Sequence, residues 1–139
     1  MRVSCSRRYK RSGAAAVEMA IILPLFLALI LGTIEASRLG MVSQLLHVAA
    51  REGCRTAVLP GQSEAAVQAR INAALAGTGI TPSVQISSPN GSWLNVEAPA
   101  PITVRLSVPF KDVSWLGDPF AFEETTVVAS ATMCSEKNP

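Results

Sequence analysis

The sequence predicts an α+β protein: a long N-terminal transmembrane helix that extends into a small domain with a short second helix and a three- to four-stranded antiparallel sheet. Three observations carry that expectation. Residues 14–34 form an apolar run with one charge, Glu18. Apolar residues then recur at helical spacing as far as Gly53, and after Gly79 the spacing drops to two. At 139 residues the chain has room for one small domain and an appended segment.

Charge orders the N-terminus. The net +2 conceals an asymmetry: five of the twelve basic residues (Arg2, Arg7, Arg8, Lys10 and Arg11) precede Gly13, and none of the ten acidic residues does. From Ala14 onward acidic residues exceed basic ones, so the basic balance gives no nucleic-acid surface. Residues 1–13 read as a basic leader, which beside an apolar run keeps its end of the chain on the cytoplasmic side. The bland reading, a solvated basic tail, fits that neighbour less well.

Residues 14–34 would make a helix about 31 Å long, close to the hydrocarbon thickness of a bilayer. Mean hydropathy of the whole chain is +0.33, much of it from this third. The rival is a signal peptide cut by signal peptidase, which needs small residues at −3 and −1. The candidate ending at Ala36 has Ile34 at −3 and Glu35 at −2, a poor site. A retained membrane helix is the better reading. Pro24 removes one backbone donor inside it and predicts a kink. Glu18 is costly inside a bilayer and such residues usually serve a function, although a side chain so near the end can also snorkel to the headgroups.

The helical spacing continues through residues 35–59. Leu39, Val42, Leu46, Ala49 and Gly53 share one face, while Gln44, His47, Arg51 and Arg55 share another. From Ala14 to Ala57 the helix would run roughly 66 Å. Pro60-Gly61 ends it. His47, the only histidine, has no second ligand or base at useful spacing and reads as a surface residue.

Residues 60–139 form the remaining domain. Ser63 is the expected N-cap of a second helix, with Glu64 in its first turn and Val67, Ile71, Ala74 and Leu75 on its apolar face; Gly77 stops it. Strands are expected at Ser83–Ser87, at Trp93–Glu97 returning from the turn Pro89-Asn90-Gly91-Ser92, at Ile102–Val108, and at Thr125–Thr132. Phe110, Trp115, Phe120 and Phe122, in the loop between the last two, are expected to close an edge of the core.

The junction of leader and apolar run carries a family resemblance. Basic leader, Gly13, the small residues AAAV, then Glu18 at the fifth position after the glycine resembles the processing site of type IV pilin-like precursors, in the version of the Flp and TadE branch of tight-adherence pili. The continuation IEASRLGMVSQLLHVAAREGCRTAV, with Ala50, Arg51, Gly53 and Arg55 near its end, is similar to the second half of the TadE-like segment. The resemblance covers residues 12–59. It implies cleavage between Gly13 and Ala14 by a prepilin peptidase, and pairing of Glu18 with the amino terminus of a neighbouring subunit. Partners implied are the membrane, the peptidase, other pilin-like subunits and assembly platform proteins. The chain would be a single-pass inner-membrane protein with a cytoplasmic N-terminus and a periplasmic domain. Met19 departs from the aromatic residue that Flp pilins usually carry after the glutamate, which argues against a major pilin.

Cys5 would be lost with the leader. Cys54 and Cys134 would lie in an oxidising compartment, and a Cys54–Cys134 disulfide is the expectation, against the alternative of two unrelated thiols. Closing a loop of about 80 residues would contribute on the order of 4.5 kcal/mol.

Reaction chemistry is absent from the sequence. It has no phosphate loop, CxxC, HExxH or GxSxG motif. Glu123 and Glu124 are adjacent, so on a strand they face opposite ways, and Asp112 and Asp118 have no partner nearby in sequence. No enzyme, cofactor or metal is expected. A non-catalytic, TadE-like pilus assembly component is the leading expectation. The alternatives are an unprocessed bitopic anchor whose outer domain binds a ligand or envelope partner, and a soluble domain released by signal peptidase.

Overall fold

The computed structural model describes residues 12–89, 91–95, 98–115 and 125–136. The leader with Cys5 lies outside them, as do Asp118, Phe120, Phe122, Glu123 and Glu124. The elements run α1 (Ser12–Ala57), α2 (Glu64–Ala74), β1 (Ser83–Ser87), β2 (Pro101–Pro109) and β3 (Thr126–Cys134). Helices and an antiparallel sheet segregate along the chain, which is the expected α+β class. The chain divides into two compact units, Met1–Ile34 and Glu35–Pro139.

In the first unit the described residues are helical throughout, and α1 continues through Pro24. Its large side chains are uncovered: Ile21 is 71% exposed, Leu25 75% and Leu29 65%. Among the described residues α1 is the one helix long and apolar enough to cross a membrane, by length and composition.

The second unit opposes α1 and α2 to one face of the sheet. Val42, Leu46, Ala49, Ala50, Cys54 and Ala57 of α1 are buried and, apart from the adjacent pair Ala49-Ala50, lie three or four residues apart, so one helical face supplies one wall of the core. Val67, Ile71 and Leu75 add the wall from α2 and its end. Ser63 caps α2 as expected: its Oγ accepts a hydrogen bond from the Ala66 amide at 3.2 Å. Gly61 and Gly77, at φ 73° and 80°, take left-handed backbone in the turns that follow the two helices.

The sheet order is β1-β2-β3, antiparallel throughout. Central β2 buries Ile102, Val104, Leu106 and Val108 on alternate positions, and each such side chain contributes roughly 1.5–3 kcal/mol. Thr103 pairs with Thr132 on the opposite face, their hydroxyls 2.8 Å apart. The end of β3 returns to α1, where the Glu136 amide donates to the Val58 carbonyl at 3.1 Å and satisfies a helix-end acceptor.

The strand expected at Trp93–Glu97 is not formed where the chain is described. Trp93–Asn95 is a 3-10 turn, and β1 pairs directly with β2, Val84 opposite Leu106. Trp93 is 7% exposed and belongs to the core. Burying one bulky ring fixes this segment more strongly than its imperfect alternation does. Val96 and Glu97 lie outside the described residues. The sheet among the described residues therefore has three strands.

Candidate functional site

The residues singled out in sequence fall into two groups, one in each unit. Gly13, Ala14 and Glu18 lie in the first turns of α1, all exposed. Ala14 and Glu18 are four apart and share a face. A Cβ added at Gly13 meets nothing within 4 Å, so the glycine answers no packing need inside this chain.

Gly53 is the opposite case. An added Cβ would lie 2.7 Å from Cγ1 and 2.8 Å from Cδ1 of Ile71, which is fully buried. The missing side chain is what lets α2 close on α1. The stretch Ala50, Arg51, Gly53, Arg55 thus divides by face: Ala50 and Gly53 are buried, Arg51 and Arg55 exposed. Beside Gly53, Glu52 Oε2 accepts from Arg70 Nη2 at 2.9 Å and Nε at 3.2 Å. At a pair this exposed the link contributes about 0–1 kcal/mol. His47 is exposed, and its carbonyl accepts from Arg51 Nε at 3.3 Å.

The two cysteines are free thiols, and the expected Cys54–Cys134 disulfide is not formed. Cys54 is buried beneath the sheet, its Sγ donating to the Ile102 carbonyl at 3.3 Å. Burial pushes its thiol pKa up, an effect opposed by backbone hydrogen bonds from Met133 and Val104. Cys134 occupies an exposed position of β3, in phase with Ser130 and Thr132, whereas its neighbour Met133 packs against the core. Strand alternation therefore puts the two thiols on opposite faces of the sheet. Cys134 instead borders a surface depression with Arg55, Val58, Leu59 and Glu136.

The loop after β2 departs from expectation at Phe110 and Trp115. Phe110 is buried, and its amide donates to the Thr125 carbonyl at 2.8 Å, but it does not belong to the cluster of buried side chains that forms the core. Trp115 is 76% exposed. The Arg38 guanidinium carbon lies 5.4 Å from the centroid of its ring, and Arg38 Nε donates to the Val113 carbonyl. One turn before Arg38, Glu35 is buried, and its Oε2 has no hydrogen-bond partner among the described residues. Sequence reasoning missed the roles of Glu35 and Arg38. The cue was present, because both charges follow the apolar run within one turn. Among the described residues no group of three or more His, Cys, Asp or Glu side chains is placed to hold a metal ion.

Residues 13–55 match the family model described as TadE-like protein. The match starts at Gly13, takes in Glu18 and ends at Arg55, so this segment is similar to the TadE-like family. No curated protein matches the chain. No solved structure matches it either.

Proposed function

We propose that the chain is a non-catalytic, TadE-like minor component of a tight-adherence or Flp-type pilus assembly or secretion apparatus, processed by a prepilin peptidase after Gly13. The observation that carries this reading is the coincidence of the TadE-like match, residues 13–55, with α1. One helix joins the exposed Gly13–Ala14 bond and Glu18 to an uncovered apolar segment, and then to a face that the second unit buries.

In this reading residues 14–34 hold the protein in the inner membrane, the basic leader stays cytoplasmic and the Glu35–Pro139 unit is periplasmic. Removing the leader frees the Ala14 amine. Glu18 then meets the amine of a neighbouring pilin-like subunit, since a carboxylate in lipid is tolerable when paired. The second unit supplies contacts to platform proteins rather than a reaction.

N-terminal sequencing of the protein from cells with an active prepilin peptidase tests the processing step. The expected mature terminus is Ala14, and Gly13→Leu should leave the precursor uncut. A Cβ at Gly13 meets nothing within 4 Å and the residue lies outside the Glu35–Pro139 unit, so that unit should still unfold cooperatively in the variant and loss of cleavage reports recognition. An intact Met1 terminus would favour the unprocessed anchor instead.

A further inference from the structure

The Trp115–Arg38 pair is left unexplained by core packing and by processing. We propose that it is a lipid-headgroup contact, through which the Glu35–Pro139 unit rests on the bilayer that residues 14–34 enter. The inference rests on the reading of those residues as a membrane span.

Chain length places Arg38. It follows Ile34 by four residues, about 6 Å of helical rise and no more than roughly 14 Å even if fully extended. The headgroup layer on each side of a bilayer is roughly 5–8 Å deep, so Arg38 cannot stray far from it. Arg38 in turn holds Trp115, with its guanidinium against the ring and its Nε on the carbonyl of Val113, two residues before the tryptophan. Val113 is itself buried, which fixes the start of this loop to the unit's core.

The chemistry of the pair suits the interface. Tryptophan concentrates at membrane–water boundaries, where its apolar ring and its N–H donor are both satisfied. Trp115 has most of its surface free and records no acceptor for its N–H among the described residues, whereas Trp93 is only 7% exposed. Arg38 remains a net cation. Among the described residues no carboxylate bridges it, Glu35 included, and its Nη groups record no acceptor. A guanidinium whose Nη groups are unpaired among the described residues is matched to lipid phosphates, and stacking on a ring costs it little of that capacity.

The test uses the full-length protein in vesicles of equal parts phosphatidylethanolamine and phosphatidylglycerol. The sequence has two tryptophans, so subtracting the emission of Trp115→Phe isolates Trp115. Lipids brominated near the glycerol end of the acyl chain should quench that component strongly, and aqueous iodide should quench it several-fold less than a free indole. Arg38→Gln should weaken the bromolipid quenching while Trp93 emission stays unchanged. Free quenching by iodide with none by bromolipid would overturn the proposal. So would shielding from both quenchers, which would mean that protein covers the ring, either the chain's own following loop or a second copy. Flotation with the vesicles reports the span separately. A floating protein whose Trp115 ignores bromolipid sinks this inference alone, and one that does not float sinks the membrane reading as well.

Discussion

The two parts of α1 are built from similar residues and meet opposite fates. Leu25 and Leu29 are exposed by 75% and 65%, whereas Leu46 is fully buried. The earlier part carries apolar side chains around its whole circumference, so no single protein face could cover them. The later part confines them to one stripe, which α2 and the sheet cover. Periodicity, rather than hydropathy, separates a helix solvated by lipid from one packed into a core.

The largest effect should come from putting charge into the first part. Leu25→Arg with Leu29→Arg adds roughly 6 kcal/mol to the cost of membrane insertion, at about 3 kcal/mol for each arginine near the helix centre. The protein should then be released by alkaline carbonate extraction, while the second unit still unfolds cooperatively. Retention in the pellet would mean that something other than lipid covers this segment.

Truncations sharpen the same contrast. Leu46→Ala should destabilise the second unit by about 2–5 kcal/mol, read by denaturant unfolding followed through tryptophan emission. Leu29→Ala, an identical change in the other part, should leave that transition in place. Equal shifts would erase the distinction between the two environments.

Glycines give a smaller effect with opposite signs. Gly53→Ala must displace Ile71 inside a full core, and overpacking of this kind costs about 1–3 kcal/mol. Gly40→Ala meets nothing within 4 Å on the same helix, so it should stabilise by up to about 1 kcal/mol through helix propensity alone. Thermal unfolding of the two variants side by side decides the matter.

The cysteines should show the weakest effect, and it is set by pH. Burial raises the folded-state pKa of Cys54 above its unfolded value, so the folded state holds its proton longer. Its contribution to stability is complete below the ordinary thiol pKa of about 8.5, and is lost as pH rises through the folded value. Cys54→Ala should flatten that part of the stability profile. At neutral pH a maleimide should label Cys134 in the folded protein, and Cys54 only after unfolding.

Much of this architecture was legible in the sequence because local signals agreed with one another. The stripe Val42, Leu46, Ala49, Gly53 and the cap at Ser63 each follow from periodicity or a single hydrogen bond. So does the alternation of β2, where both faces of the strand have distinct environments. Trp93 departs from the expected strand because alternation is weak there and a buried ring overrides it. The Gly53–Ile71 contact needed two helices brought together, which no local pattern encodes. Cys134 fell on the outer face through strand phase: one residue earlier, at Met133, it would have faced the core. Trp115 departs from its expected place at a core edge because loop composition does not distinguish a buried aromatic residue from an exposed one. Gly13 and Glu18 stand out in the sequence only through the resemblance that leader, glycine and glutamate carry together, and the structure adds the open space around Gly13.

The division of α1 between two environments is tested most directly by nitroxide scanning of residues 17–50, one labelled position at a time, in vesicles. Oxygen accessibility should be high and without helical period through Ile34. From Glu35 onward it should oscillate every three to four residues, with minima at Val42, Leu46 and Ala49. A profile accessible to water-soluble reagents across residues 17–34, or one with no oscillation after Glu35, would contradict it.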